Sequence, residues 1–199
     1  MGVGALKLLC VLGASVVLSA CGGGAQPGVT GVEYGNAGTA STGVRSTAVA
    51  PVVTMQDVRA QLERDEPNYA EAAHLGPGAL PHLVILVRGD DPLIASKAVY
   101  LASLIRDPRA LDLVEMAARS PHPAVRVAAA GALRNLAVIP DKLWEHLLRD
   151  PDVGVRKATL DAAAASRPAG VKGTVQDMAR HDPDQDLRRR AREVADRLP

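Results

Sequence analysis

The chain has 199 residues, and its 23 Lys plus Arg against 22 Asp plus Glu leave a formal charge of +1. That balance excludes the strong basic field a nucleic-acid binder needs. Hydrophobic residues make up 47%, yet aromatics are only 2% and Phe is absent, so the core must be built from Ala, Leu, Val and Ile, a mixture that favours closely packed helices. Both cysteines, Cys10 and Cys21, lie near the start, which excludes a disulfide framework or a Cys-based zinc site in the remainder.

The first element is an address. Lys7 precedes an apolar run from Leu8 to Val17, far short of the ~20 residues a membrane-spanning helix needs. A short basic start, a short apolar middle and small residues at the end are the proportions of a signal peptide. Cys10 inside the run reads as a small hydrophobe. The run closes on Leu18-Ser19-Ala20-Cys21, which resembles the bacterial lipobox. The resemblance implies a diacylglyceryl thioether on Cys21, cleavage before it and usually acylation of the new amino terminus. The competing reading is an ordinary signal peptide cut after Ala20. Gly22 rather than Asp follows Cys21. By the usual Gram-negative sorting rule, the resemblance then implies the outer membrane facing the periplasm; elsewhere it implies the cell surface.

Residues 1–20 are thus expected to be the signal peptide and 21–53 a tether. From Gly22-Gly23-Gly24 to about Ala50 the chain is rich in Gly, Ala, Ser and Thr, with almost no large apolar residue, and cannot bury enough surface to fold. As a coil of roughly 30 residues it spans about 30 Å on average and about 100 Å when stretched.

Residues 54–199 are expected to be helical throughout. Thr54 with Asp57 can cap a helix running through Leu62, and Ala70 to Leu75 is a second candidate. Gly76-Pro77-Gly78 is a sharp break. Four segments then align without gaps: Gly89-Asp90-Asp91-Pro92-Leu93-Ile94-Ala95, Ser120-Pro121-His122-Pro123-Ala124-Val125-Arg126, Asp150-Pro151-Asp152-Val153-Gly154-Val155-Arg156 and Asp182-Pro183-Asp184-Gln185-Asp186-Leu187-Arg188. Their starts are 31, 30 and 32 residues apart. The third position, Asp91, His122, Asp152 and Asp184, falls where a helix N-cap belongs. Pro92 and Pro123 follow at the favoured first helical position. His122 is a weaker cap, and the first segment carries Ala95 where the others carry Arg.

Counted from the apolar residue of each segment (Ile94, Val125, Val155, Leu187), positions four, seven and eight residues on are small or apolar in every copy. They are Ala98, Leu101 and Ala102; Ala129, Ala132 and Leu133; Thr159, Ala162 and Ala163; Ala191, Val194 and Ala195. That is a helical stripe. Shorter apolar-bearing segments precede each turn, with Leu83 and Leu86, Leu113 and Val114, Leu143 and Trp144, and Val175 and Met178. The motif resembles the Asp-Pro-Asp-x-x-Val-Arg turn of HEAT repeats, especially the short form shared with bilin-lyase-like repeats, over roughly Val58 to Leu198. The resemblance implies a right-handed α-solenoid of about four helix pairs with an N-terminal helical cap, in which neighbours stack because no pair buries its stripe alone.

Arg126, Arg156 and Arg188 form a column at equivalent positions. It reads either as an anion-binding ladder or as a structural one in which each Arg meets a turn carboxylate of an adjacent repeat; HEAT-like repeats favour the second. The histidines show no pair at ligand spacing on one helix face. No phosphate loop, nucleophile elbow or His-Glu zinc motif occurs, so neither cofactor nor metal is expected. Arg188-Arg189-Arg190 with Arg192 is interleaved with acids and reads as a solvated face. Positions two, five, six and nine along each second helix point away from the stripe, toward the concave face of a HEAT solenoid. Val99, Tyr100, Val127 and Leu160 are apolar there, which marks a candidate partner surface. The expected function is a non-catalytic protein-binding or scaffolding module displayed from a membrane. The alternatives are an accessory lyase or isomerase-like protein of the bilin-lyase repeat type and an assembly factor for an envelope secretion or motility complex.

Overall fold

In a computed structural model, which describes residues 52–199, every regular element is helical and no strand occurs among the described residues. Cys21 and most of the tether lie outside the described residues. The elements are α1 (Met55–Leu62), α2 (Tyr69–Ala72), a 3-10 segment (Ala73–Ala79), α3 (Leu80–Val87), α4 (Pro92–Leu104), α5 (Arg109–Ala117), α6 (Pro123–Ala132), α7 (Asp141–Leu148), α8 (Val153–Ser166), a 3-10 turn (Ala169–Val171), α9 (Lys172–His181) and α10 (Gln185–Ala195).

Local chemistry sets the boundaries. A capping box opens α1: Thr54 Oγ1 accepts the Asp57 N–H at 3.3 Å, and Asp57 Oδ2 accepts the Thr54 N–H at 2.8 Å, so two otherwise orphaned donors are satisfied. Between α2 and α3 the chain reverses at Gly76, whose φ of 62° and ψ of −160° suit glycine alone. Asp91, Asp152 and Asp184 cap α4, α8 and α10 through Leu93 and Ile94, Val155, and Leu187 respectively. His122 precedes α6 without a side-chain cap bond.

Consecutive helices pack two by two, α3 on α4, α5 on α6, α7 on α8 and α9 on α10, while α4 lies against α6 and α6 against α8. The inner side chains are the stripe residues. All of them are buried except Ile94, which is half-buried. Leu83, Leu113, Leu147 and Trp144 from the shorter helices close the same core, each contributing about 1.5–3 kcal/mol of transfer free energy. The buried Ala98, Ala102, Ala129 and Ala132 let backbones approach closely without large side chains. Polar stitches join the helices: Lys97 Nζ donates to the Leu62 and Arg64 carbonyls at 3.0 and 2.9 Å, capping the end of α1. Asn135 Nδ2 donates to Ser103 Oγ at 2.8 Å.

Candidate functional site

Two edges of this arrangement carry different chemistry. One holds the short turns that precede α4, α6, α8 and α10. There Arg126 donates from Nε and Nη2 to both oxygens of Asp150 at 2.8 and 3.0 Å, and from Nη1 to the Ser120 and Pro121 carbonyls. Arg156 repeats the geometry one turn later, reaching Asp182 at 2.8 and 3.1 Å and the Asp150 and Pro151 carbonyls. Each acid also accepts the N–H two residues on, Asp150 from Asp152 and Asp182 from Asp184. One carboxylate therefore fixes its own turn and the preceding one.

These pairs are sequestered from water; the Arg156 and Asp182 side chains are 9% and 3% exposed. Burial pushes the Asp150 carboxyl up. The bonds from Arg126 and from the Asp152 N–H outweigh it and hold the group below its ordinary range. The bond to Asp150 raises Arg126 in turn. Every fork nitrogen and carboxylate oxygen in the two pairs has a partner, so this part of the column holds the turns together. Arg188 differs. Its Nη1 donates to the Asp182 and Pro183 carbonyls at 2.6 and 3.2 Å, and no carboxylate meets its Nε and Nη2 among the described residues.

The opposite edge carries the connections from α4 to α5 and from α6 to α7. Between them lies a cleft of about 810 Å³, within the range of small-molecule and peptide-anchor sites. Leu104, Ile105, Leu111, Leu136 and Val138 supply its apolar lining, and Ser103, Asp107 and Asn135 its polar rim. Val138 is 77% exposed. Three Arg109 bonds, from Nε and Nη2 of its side chain and from its backbone N–H, hold the Asp107 carboxyl at about 2. Ser103 Oγ donates to the Tyr100 carbonyl while accepting from Asn135.

The four apolar positions expected to face a partner do not share one environment. Val99 and Leu160 are fully buried, which corrects the expectation that both face solvent. Five residues on from Ile94 and Val155, they stand about 140° round from those stripe residues, and α4 and α8 are flanked by neighbouring helices over more than the stripe. Tyr100 is 38% exposed, with its ring set edge-on to Tyr69 at 4.6 Å. Val127 is half-buried, and a Cβ at Gly154 would lie 3.7 Å from it. Only Tyr100 among the four is substantially open, and none of the four lines the cleft.

No family model and no curated protein matches the chain.

The histidines serve separate structural ends. His82 and His146 sit 3.0 and 3.2 Å from the Val53 and Ala118 carbonyls, and His181 contacts Asp177 at 2.9 Å. No cluster of three metal-ligating side chains occurs among the described residues, and no described helix is long and apolar enough to cross a membrane. Sequence reasoning missed the cleft. Its signal was the run Leu136-Ala137-Val138-Ile139, apolar residues in a connection where polar ones are the rule.

Proposed function

We propose that the chain is a lipoprotein anchored through Cys21, and that its helical domain is a HEAT-like solenoid of four helix pairs with an N-terminal helical cap. The domain works as a non-catalytic protein-binding module in the cell envelope. Support for the repeat reading comes from the recurring turn, its capping acids Asp91, Asp152 and Asp184 and the Arg126–Asp150 and Arg156–Asp182 bonds.

The apolar cleft carries the binding reading. A solvated connection gains nothing from displaying Val138 beside Leu136 and Leu104, whereas a partner's apolar side chain seated there removes that surface from water. A photo-crosslinking residue at Val138, in the full chain in cells, is expected to give a discrete adduct that Leu136→Asp abolishes. Crosslinking insensitive to Leu136→Asp refutes the cleft as the contact. Cys21→Ala is expected to abolish incorporation of a palmitate analogue and release the protein from membranes; unchanged labelling refutes the anchor. The cleft volume also fits a small apolar ligand, as the lyase-like alternative requires. Saturable binding of an apolar dye that blocks no crosslink favours that alternative.

A further inference from the structure

The turn edge contains an internal template for a ligand. Arg126 and Arg156 hold two carbonyls of their own turn with Nη1 and receive a carboxylate on Nε and Nη2. Arg188 is anchored the same way, through Nη1 to the Asp182 and Pro183 carbonyls. Its guanidinium is therefore already oriented, and the two atoms that take the acid in the other copies are free among the described residues. Neither atom is fully sealed from water, since among the described residues the only buried side-chain polar atom without a partner is Gln61 Oε1.

Arg192 follows one helical turn after Arg188 on α10 and, with Arg180 and Gln176, borders a separate hollow of about 510 Å³ that Arg188 does not line.

We propose that Arg188 is the docking point for an acidic protein segment on a partner, an aspartate presented in a turn of the kind formed by Asp150 and Asp182. This contact lies on a different edge from the apolar cleft and does not depend on it. Two observations select a carboxylate turn over other anions. In both templates the occupant is a planar carboxylate matched to the two parallel donors of the fork, the geometry Arg provides and Lys does not. In both, the same carboxylate also closes its own turn by accepting the N–H two residues on. The ligand thus arrives preorganised, which lowers the entropic cost of binding.

The test uses the full chain in detergent micelles and a capped peptide with the sequence of residues 148–153, Leu-Arg-Asp-Pro-Asp-Val. Titration at low salt is expected to shift the Arg188 Nε–H signal in side-chain NMR to saturation. A peptide with both aspartates changed to Asn should bind at least tenfold more weakly. In anisotropy measurements with labelled peptide, Arg188→Gln and Arg188→Lys should each weaken binding at least tenfold, while Arg189→Gln leaves it within twofold. The wild-type NMR arm needs no variant, so an Arg188→Gln protein that fails to fold leaves the proposal testable. No shift of Arg188, or equal losses from Arg189→Gln, overturns it. Binding of phosphatidylglycerol vesicles that is lost in Arg188→Gln, without peptide binding, assigns the fork to a lipid phosphate and likewise overturns it. A change at Arg188 on Glu33→Gln in the absence of peptide places the chain's own carboxylate there, with the same result.

Discussion

Asp152 and Asp184 each set one carboxylate oxygen against the N–H three residues on, at 3.0 and 2.9 Å. Removing such a cap returns an orphan donor to the helix start, at a cost of about 0.5–2 kcal/mol. Asp152→Ala and Asp184→Ala are each expected to lose stability in that range. His122→Ala should lose less, because the imidazole makes no cap bond there. Urea midpoints that rank His122→Ala worst contradict this. Asp150 adds a pH dependence. Its carboxyl is held below the ordinary 3.8, so the folded chain binds its proton less readily than the unfolded one. The stabilisation is complete above that ordinary value and fades as the pH falls below it, through the folded value. Asp150→Asn is therefore expected to be markedly less stable than wild type at pH 7, with Arg126 left without its counter-ion, and the gap should narrow toward pH 3. A constant gap across urea titrations refutes the pairing as its source. Caps of this kind were legible in the sequence because they act over three residues. The burial of Val99 and Leu160 was not, because it depends on which helices arrive from elsewhere in the chain.

At the scale of helices and turns, the first repeat shows what the column contributes by lacking it. Ala95 and Ser120 stand where the later turns carry Arg and Asp. A hollow of about 280 Å³ remains there, lined by Ala95, Ser120, Val87 and Val125 among others. Ser120 keeps only the acid's second task, accepting the His122 N–H at 3.3 Å. Ala95→Arg alone brings a fork whose carboxylate partner is missing, beside the cations Arg88 and Arg119 that also line the hollow, and is expected to destabilise. Combined with Ser120→Asp, the fork regains its carboxylate while Nη1 reaches the Gly89 and Asp90 carbonyls. The two changes should couple favourably by about 0.5–3 kcal/mol in a double-mutant cycle. Additive effects in urea unfolding show that this turn cannot adopt the geometry of the later ones. Element order was readable for the same reason that this gap is. The motif recurs at nearly constant spacing, so each helix start is announced by its own turn. The connections have no such motif, which is why the cleft between Leu104 and Val138 escaped the sequence.

Over the whole molecule, burial at one repeated position depends on what lies on each side of a helix. Five residues after the apolar turn residues Ile94, Val125, Val155 and Leu187 stand Val99 in α4, Ala130 in α6 and Leu160 in α8, all buried, and Arg192 in α10, exposed. The residue type follows the environment. α4 and α6 are each followed by another long helix packed against them, and Asp161, the residue after Leu160, is met by Arg190 of α10 at 3.4 Å. At α10 the hollow beside Arg192 is lined by polar groups instead, Arg180 of α9 and Asp196 just past the end of α10. The same truncation should then have opposite consequences along the row. Leu160→Ala leaves a cavity between packed helices and is expected to cost about 2–5 kcal/mol. Arg192→Ala removes an exposed side chain and should change stability by no more than about 0.5 kcal/mol. Chemical denaturation of the two variants measures this directly. Comparable losses show that α10 is covered as the inner helices are, whereas a negligible loss in Leu160→Ala shows that α8 is not flanked by its neighbours in solution.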